Sequence, residues 1–214
     1  QRYHYRAEGG PVGRSGGLGG EMPGWVGPSG QAPPGQPTDF FGHSVALSGD
    51  VALVGAGGID DFTGRGFVFV HANDDWTLQA ELAAEDGAPG DSLGISASLD
   101  GSVAVLGAHE HDGAFADSGA AYVFGTDADG TWSQTGTLLP SVAGADDRFG
   151  HRVCVRGDRV LVGADEHDGY GNNAGIAFSF TRASDGSWSQ SDILTASDAG
   201  PGDLFGRSVS LSGD

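Results

Sequence analysis

Side chains capable of chemistry gather at three places in this chain. Asp60, Asp61 and Thr63 form the first group, and His109, Glu110, His111, Asp112 and Asp117 the second. Asp165, Glu166, His167, Asp168, Tyr170, Asn172 and Asn173 form the third. Glu-His-Asp-Gly recurs at Glu110–Gly113 and Glu166–Gly169, and the first group lacks it. Carboxylates and amides on a flexible loop suit a hard cation such as calcium, with glycine letting the chain turn. On that reading Asp60, Asp61, Asp112, Asp117, Asp165 and Asp168 are the candidate ligands. Imidazoles suit a transition metal instead, and His109 and His111, two apart, would share a face if they lay on a strand. The same residues also read as solvated acidic loops closed by Asp-Gly turns, with His109, Glu110, His111, Glu166, His167 and Tyr170 offered to a partner. Serine is abundant but lies in turn or strand repeats. A catalytic site usually occurs once, whereas this loop is nearly duplicated, so an enzyme is the weaker class.

The segments that must position these loops are repeated. Asp39-Phe40-Phe41-Gly42, Asp91-Ser92-Leu93-Gly94, Asp147-Arg148-Phe149-Gly150 and Asp203-Leu204-Phe205-Gly206 start 52, 56 and 56 residues apart. Gly-Ala falls at Gly55, Gly107 and Gly163, and tryptophan at Trp76, Trp132 and Trp188. Three markers sharing one period define a repeat array. Within a unit the apolar period is two, and short runs are joined by Gly- and Asp-rich turns. Strands are expected at Ser44–Leu47, Val51–Gly55, Gly66–Val70 and Trp76–Leu82, and at the matching places of the next two units. Four short antiparallel strands in roughly 50 residues make a β-propeller blade. The expected fold is all-β, with blades at 39–90, 91–146 and 147–202 and the first strand of a fourth at 203–214. No helix of useful length is expected.

Within this frame each marker has a structural reading. Asp39, Asp91, Asp147 and Asp203 precede Phe-Gly by two residues, and their carboxylates would accept backbone N–H groups at strand entry. The tryptophans would anchor blade packing rather than stack on sugars. Cys154 matches Ala46, Ser98 and Ser210, which makes it a small buried filler. His43 and His151 match Ile95 and Arg207, which suggests a tolerant surface position.

Composition sets the outer limits. Among 214 residues there are 40 Gly, 29 acids and ten basic residues, all Arg, for a net charge of −19. That charge excludes a general binder of nucleic-acid phosphates. It fits a high-salt habitat, where the Debye length falls to about 3 Å and acidic self-repulsion is tolerable. The single cysteine excludes an internal disulfide framework. No apolar run is long enough to span a bilayer. Residues 1–38, with 11 Gly and six Pro, read as a disordered segment or linker. Propellers usually close with four to eight blades. Three units and a lone strand therefore predict an open arc or part of a longer array, with exposed blade faces that invite self-association or further blades.

The Phe-Gly openings (Phe41-Gly42, Phe149-Gly150, Phe205-Gly206, with Leu93-Gly94 as a variant) and the Gly-Ala closes resemble the FG-GAP repeat of the integrin α-chain propeller. The prokaryotic secreted form is the nearest likeness, over residues 39–214 or about four-fifths of the chain. The resemblance implies a non-catalytic binding or adhesion module of an exported or cell-surface protein, with a protein or glycan ligand held by loops on one face. Integrin-type repeats carry an Asp-x-Asp-x-Asp-Gly calcium loop between the first two strands. Here that place holds only Ser48-Gly49-Asp50 and its equivalents, too few oxygens for one ion. The alternative is a propeller-based glycan hydrolase or lyase, with the His-Glu-His-Asp loop as a metal or acid/base site.

Overall fold

The structure, a computed structural model, describes residues 38–212. The Gly/Pro-rich segment expected at 1–38 therefore lies, but for Thr38, outside the described residues. Twelve strands form in chain order. They are β1 Ser44–Ser48, β2 Val51–Ala56, β3 Arg65–Ala72 and β4 Asp75–Leu82; β5 Ser96–Asp100, β6 Val103–Ala108, β7 Ala120–Thr126 and β8 Trp132–Leu138; β9 Arg152–Arg156, β10 Arg159–Ala164, β11 Ile176–Arg182 and β12 Trp188–Leu194. Each set of four makes one antiparallel sheet in sequence order, called here sheets 1, 2 and 3. The fold is all-β, an open run of propeller-like blades.

The local causes repeat with the sequence. The first hairpin of each sheet turns on Gly49, Gly101 or Gly157, all at φ near +57°, which a glycine adopts without strain. The third and fourth strands carry a register shift at the same place in every sheet, between Val68 and Phe69, Val123 and Phe124, and Ser179 and Phe180. Such a bulge adds twist, so the three sheets share one curvature. Between β2 and β3, Ile59–Phe62 makes a single irregular turn, with Asp60 and Asp61 in the left-handed region.

Alternation divides each sheet into a front and a back. The back of sheet 1 (Leu53, Val68, Leu82) packs on the front of sheet 2 (Leu99, Leu106, Tyr122, Phe124). The back of sheet 2 (Val105, Val123, Leu138) packs on the front of sheet 3 (Phe149, Val153, Val162, Phe178). Burying one such side chain contributes on the order of 2 kcal/mol. On the two outer faces burial is uneven: Phe67 and Phe69 on the front of sheet 1 are buried in a third cluster with Ala56, but other positions are not. Phe41, Val45 and Leu47 on the front of sheet 1 are 43, 69 and 66% exposed, whereas their equivalents Phe149, Val153 and Val155 are buried. On the back of sheet 3, Leu194 is 40% exposed against 2% for Leu82 and 1% for Leu138. Cys154 lies on that same back face and is only half-buried. It therefore fills no core, because no described residue packs over that face as sheet 3 packs over sheet 2.

Neighbouring sheets also join through their backbones. Leu93 N–H donates to Thr63 O, Phe149 to Ser118 and Phe205 to Ala174. Each Phe-Gly opening thus docks on the loop between the second and third strands of the sheet before it. Its glycine then donates to the Gly-Ala glycine of its own sheet: Gly94 to Gly107 and Gly150 to Gly163. The openings' carbonyls in turn press on the Gly-Ala glycine of the preceding sheet. A Cβ on Gly107 would overlap the carbonyl oxygen of Gly150, as would one on Gly55 with Gly94 and one on Gly163 with Gly206. Both glycine markers therefore have one physical cause, a backbone contact that excludes any side chain.

Residues 203–212 correct one expectation. They form no strand ladder, although 203–214 matches a first strand in sequence. A first strand is held by its hairpin partner, as β1 is by β2, and residues 203–212 pair with no strand among the described residues. The segment nevertheless docks on sheet 3 as the other openings dock, through Leu204, Phe205 and Gly206.

The tryptophans sit half-buried near the starts of the fourth strands. Trp132 Nε1 donates to Gln79 Oε1 of sheet 1 at 3.3 Å, Trp188 packs against the core shared by sheets 2 and 3, and Trp76 packs on His71.

If the backbone contact determines the fold, Gly107→Ala destabilises by about 3 kcal/mol in urea unfolding, in the range of overpacked cores. Gly136→Ala, where a new methyl meets only Trp188 Cδ1 at 3.5 Å, changes stability by less than about 1 kcal/mol. Equal losses at the two sites would refute this.

Candidate functional site

The loops between second and third strands fold back onto the openings of their own sheets, and the repeated Glu-His-Asp-Gly explains how. Each residue of the motif has a fixed partner. The glutamate meets the second residue of the opening: Glu110 Oε2 accepts from Ser92 Oγ at 2.8 Å, and Glu166 Oε1 lies 3.0 Å from Arg148. The histidine meets the opening aspartate, with His111 Nδ1 3.1 Å from Asp91 Oδ2 and His167 Nε2 3.8 Å from Asp147 Oδ2. The third residue closes its own loop, since Asp112 accepts from Asp117 N–H and Asp168 from Asn173 N–H at 3.0 and 2.7 Å. Sheet 1, without the motif, uses an Arg65–Asp60 ion pair at 2.6 Å. The motif is a fastening.

The opening aspartates are turn formers. Asp91 accepts from Ala88 N–H at 2.9 Å, and Asp147 and Asp203 accept from Gly144 and Gly200. Asp91 and Asp147 are buried, and a buried carboxylate needs such donors.

Two places remain where groups converge on space. The first is a cavity of about 420 Å³ between residues 86–91, which lead from sheet 1 into sheet 2, and the loop of sheet 2. Asp86, Asp91, Glu110, Asp112 and Asp117 put five carboxylates on its wall, with His111, Ala88, Pro89 and Gly90 completing it. Burial together with the charges of Asp112, Asp146 and Glu110 holds the Asp117 carboxyl above its ordinary range. Tyr122 lies beneath, with its hydroxyl 3.5 Å from His111 Nδ1. Its own burial, then its hydrogen bond to Asp86, push its phenol upward.

The second place is the junction of sheets 2 and 3. The rings of His109 and His151 pack at a 37° tilt with centroids 5.6 Å apart, and His151 Nδ1 lies 2.9 Å from Asp165 Oδ1. Burial alone would raise the Asp165 carboxyl, but the closely apposed His151 imidazole, whose Nδ1 is not aligned for a hydrogen bond, and the charge of Arg207 hold it below the usual range. His109 is 8% exposed, and its Nδ1 has no hydrogen-bond partner. Burial lowers its pKa from 6.5 to about 4. Nearby Glu110 and Asp165 oppose that shift, and His151 and Arg148 reinforce it.

Several expectations are corrected by this geometry. His109 and His111 do not share a face. A turn after β6 sends His109 towards His151 of sheet 3 and His111 towards Asp91, so the pair grips nothing in common. His151 is not a tolerant surface residue, because Asp165 and His109 both engage it. The six candidate calcium ligands are spread over three loops. Among the described residues no group of three or more His, Cys, Asp or Glu is arranged to hold a metal ion. Asp112 and Asp117 alone of the six line the cavity, beside Glu110 and His111 from the partner-facing set. Glu166 and His167 are used as fastenings, and Tyr170 is 56% exposed at a loop tip. Asp86 and Asp91 were missed as cavity residues. Asp91 read only as a turn former, and Asp86 carries no repeat marker.

The match to a known repeat family agrees with this architecture. The FG-GAP repeat family matches residues 31–71, 76–124, 132–180 and 188–214, more than half of the chain, and the chain belongs to that family. The matched units run from the tryptophan strand of one sheet through the third strand of the next, so the family's repeat straddles the junctions just described. Among solved structures the chain is similar to Saccharomyces cerevisiae Sqt1, at 13% identity and a TM-score of 0.49 over 76% of this chain and 37% of that one. It is also similar to a Lactobacillus plantarum protein, at 18% identity and a TM-score of 0.49 over 72% of this chain and 41% of that one. The chain thus spans about two-fifths of the length of each. No curated protein matches it.

His109 generates a test. The unfolded imidazole takes up its proton near pH 6.5 and the folded one only near pH 4, so unfolding binds a proton between those values. Stability contributed at this site is therefore constant above about pH 7 and falls as the pH drops from 6.5 towards 4, by at most about 1.4 kcal/mol per pH unit. The difference in unfolding free energy between wild type and His109→Gln should tilt by that sense across this window. A difference flat from pH 7 to 4.5 would refute the burial.

Proposed function

We propose that this chain is a non-catalytic binding module whose loop face takes a cationic segment of a partner protein at the acidic cavity of sheet 2. The observation that carries this reading is the cavity itself. Five carboxylates line it, while the basic side chains nearest the loops, Arg65 and Arg148, already pair with Asp60 and Glu166. Desolvating a Lys or Arg side chain there would be offset by several close carboxylates. Burial first, and then the charges of Asp112, Asp146 and Glu110, raise the Asp117 carboxyl, and an incoming cation would offset the part due to those charges. An exported or cell-surface location and a high-salt habitat belong to the same proposal. The first rests on the FG-GAP family, the second on a charge of −19 without lysine. Among the described residues no helix is long and apolar enough to cross a membrane.

Calorimetric titration with hexalysine at 0.15 M KCl tests the reading, with chitohexaose and calcium chloride as the other titrants. Asp112→Asn/Asp117→Asn should weaken hexalysine binding about tenfold, the effect of removing roughly 1.4 kcal/mol of interaction. Asp74→Asn/Asp129→Asn, which removes the same charge from exposed turns, should leave it within about twofold. Equal losses in the two variants would reduce the effect to net charge. Heat from chitohexaose alone would assign the face to a glycan, and heat from calcium alone would assign it to an ion.

A further inference from the structure

Among the described residues four buried side-chain atoms have no hydrogen-bond partner: His109 Nδ1, Arg148 Nε, His151 Nδ1 and Asp165 Oδ1. All four belong to the junction of sheets 2 and 3. His109 and Asp165 directly follow β6 and β10, and Arg148 and His151 lie in the opening of sheet 3. The two imidazole rings have centroids 5.6 Å apart. His151 Nδ1 lies 2.9 Å from Asp165 Oδ1 without the alignment of a hydrogen bond. The charges of Arg148 and Asp165 both act on the His109 ring. Folded proteins pair nearly all of their buried polar atoms, and water often completes the pairing. Four such atoms at one junction therefore mark a site.

The repeat shows that this junction departs from its neighbour. Where it has His109, Arg148 and His151, the junction of sheets 1 and 2 has Gly57, Ser92 and Ile95. Gly57 and Ile95 bring no polar side-chain atom, and the hydroxyl of Ser92 is already bonded to Glu110.

The chemistry of the four atoms selects the ligand. A guanidinium only donates, so Arg148 Nε is a donor, and an ionised carboxylate only accepts. Asp165 is held below the usual carboxylate range despite its burial, so Oδ1 is an acceptor. That carboxylate places the His151 ring proton on the facing Nδ1, which makes Nδ1 a donor. Burial keeps His109 neutral by lowering its pKa to about 4. Its Nε2 faces Glu110 Oε1 at 3.8 Å and carries the proton, so Nδ1 accepts. Two donors and two acceptors are the full complement of one water molecule. A metal ion would meet two N–H groups, an anion would meet a carboxylate, and an ammonium ion would find only two acceptors.

We propose that one buried water bridges sheets 2 and 3, accepting from Arg148 Nε and His151 Nδ1 and donating to His109 Nδ1 and Asp165 Oδ1. It joins the first residue of the sheet 2 loop to the opening of sheet 3. Glu110, the next residue, lines the acidic cavity, so the bridge anchors that wall whatever the cavity binds.

A crystal structure of the wild type and oxygen-17 magnetic relaxation dispersion, which counts waters that tumble with the protein, test the bridge. The crystal should show one water within about 3.2 Å of all four atoms. His109→Phe keeps a ring but removes the acceptor, and should lose one long-lived water. His109→Asn, whose amide oxygen can stand where Nδ1 stood, should keep it. The wild-type crystal decides the matter even if His109→Phe fails to fold. His151 bonded directly to Asp165 with no water between the sheets would overturn the proposal. So would an unchanged water count in His109→Phe, or an equal loss in His109→Asn. Saturable heat on titration with zinc chloride, abolished by His109→Phe, would replace the water with a metal ion.

Discussion

A backbone oxygen pressed against a glycine Cα is the contact on which this architecture rests. Gly55, Gly107 and Gly163 each face the carbonyl of the next Phe-Gly glycine with no room for a Cβ. That approach brings the opening of one sheet within hydrogen-bonding reach of the loop of the sheet before it. Three N–H donors per junction are then satisfied without any regular ladder, which buried backbone requires. The apolar faces follow. Once Gly150 is seated against Gly107, Phe149 and Val153 have no place to go but the back of sheet 2, and both are buried there.

The same contact decides where polar chemistry can sit. A loop whose carbonyls are taken by the next opening cannot swing, so its side chains are held at fixed points above the sheet edge. The Glu-His-Asp-Gly motif then ties the loop to its own opening. All six acidic and imidazole side chains in its two copies have a partner within 3.1 Å, His167 through its Nδ1, which accepts from Gly169 N–H at 2.9 Å, while its Nε2 faces Asp147 at 3.8 Å. Duplication of the motif reflects duplicated mechanics. His109 is different. It has no acceptor or donor for Nδ1, which costs stability. Its ring packs against that of His151, tilted 37° with centroids 5.6 Å apart, at the junction of sheets 2 and 3.

Sheets, strand order and packing faces were legible because they are periodic. Alternation of two marks strands, and Phe-Gly, Gly-Ala and Trp mark the unit, each for a local reason that recurs in every copy. Residues defined by a neighbour some fifty positions away were not legible. His151 reads as an interchangeable surface residue until Asp165 and His109 are seen beside it, and Cys154 reads as core until its sheet proves to be the last described. His109 and His111 read as a pair because a strand was assumed where the chain turns. Residues 203–212 show why alternation is not enough. Their sequence has strand alternation, but a strand needs a partner's hydrogen bonds, and alternation alone supplies none.

The asymmetry that makes one loop a candidate site arises from a single class of position, the second residue of each opening. It is Phe40, Ser92, Arg148 and Leu204 in turn. In sheet 3 the guanidinium of Arg148 reaches Glu166 at 3.0 Å and neutralises it. In sheet 2 the equivalent Glu110 has only the hydroxyl of Ser92 as a direct donor, which satisfies an oxygen but leaves the charge. That charge adds to those of Asp86, Asp112 and Asp117 around the cavity, and burial, reinforced by the charges of Asp112, Asp146 and Glu110, lifts the Asp117 carboxyl. The repeat therefore supplies an identical frame three times, and one small residue in place of a cation leaves one of its loops electrically unsatisfied. Function on such a scaffold is carried by departures from the repeat, at positions the backbone contact leaves free to vary.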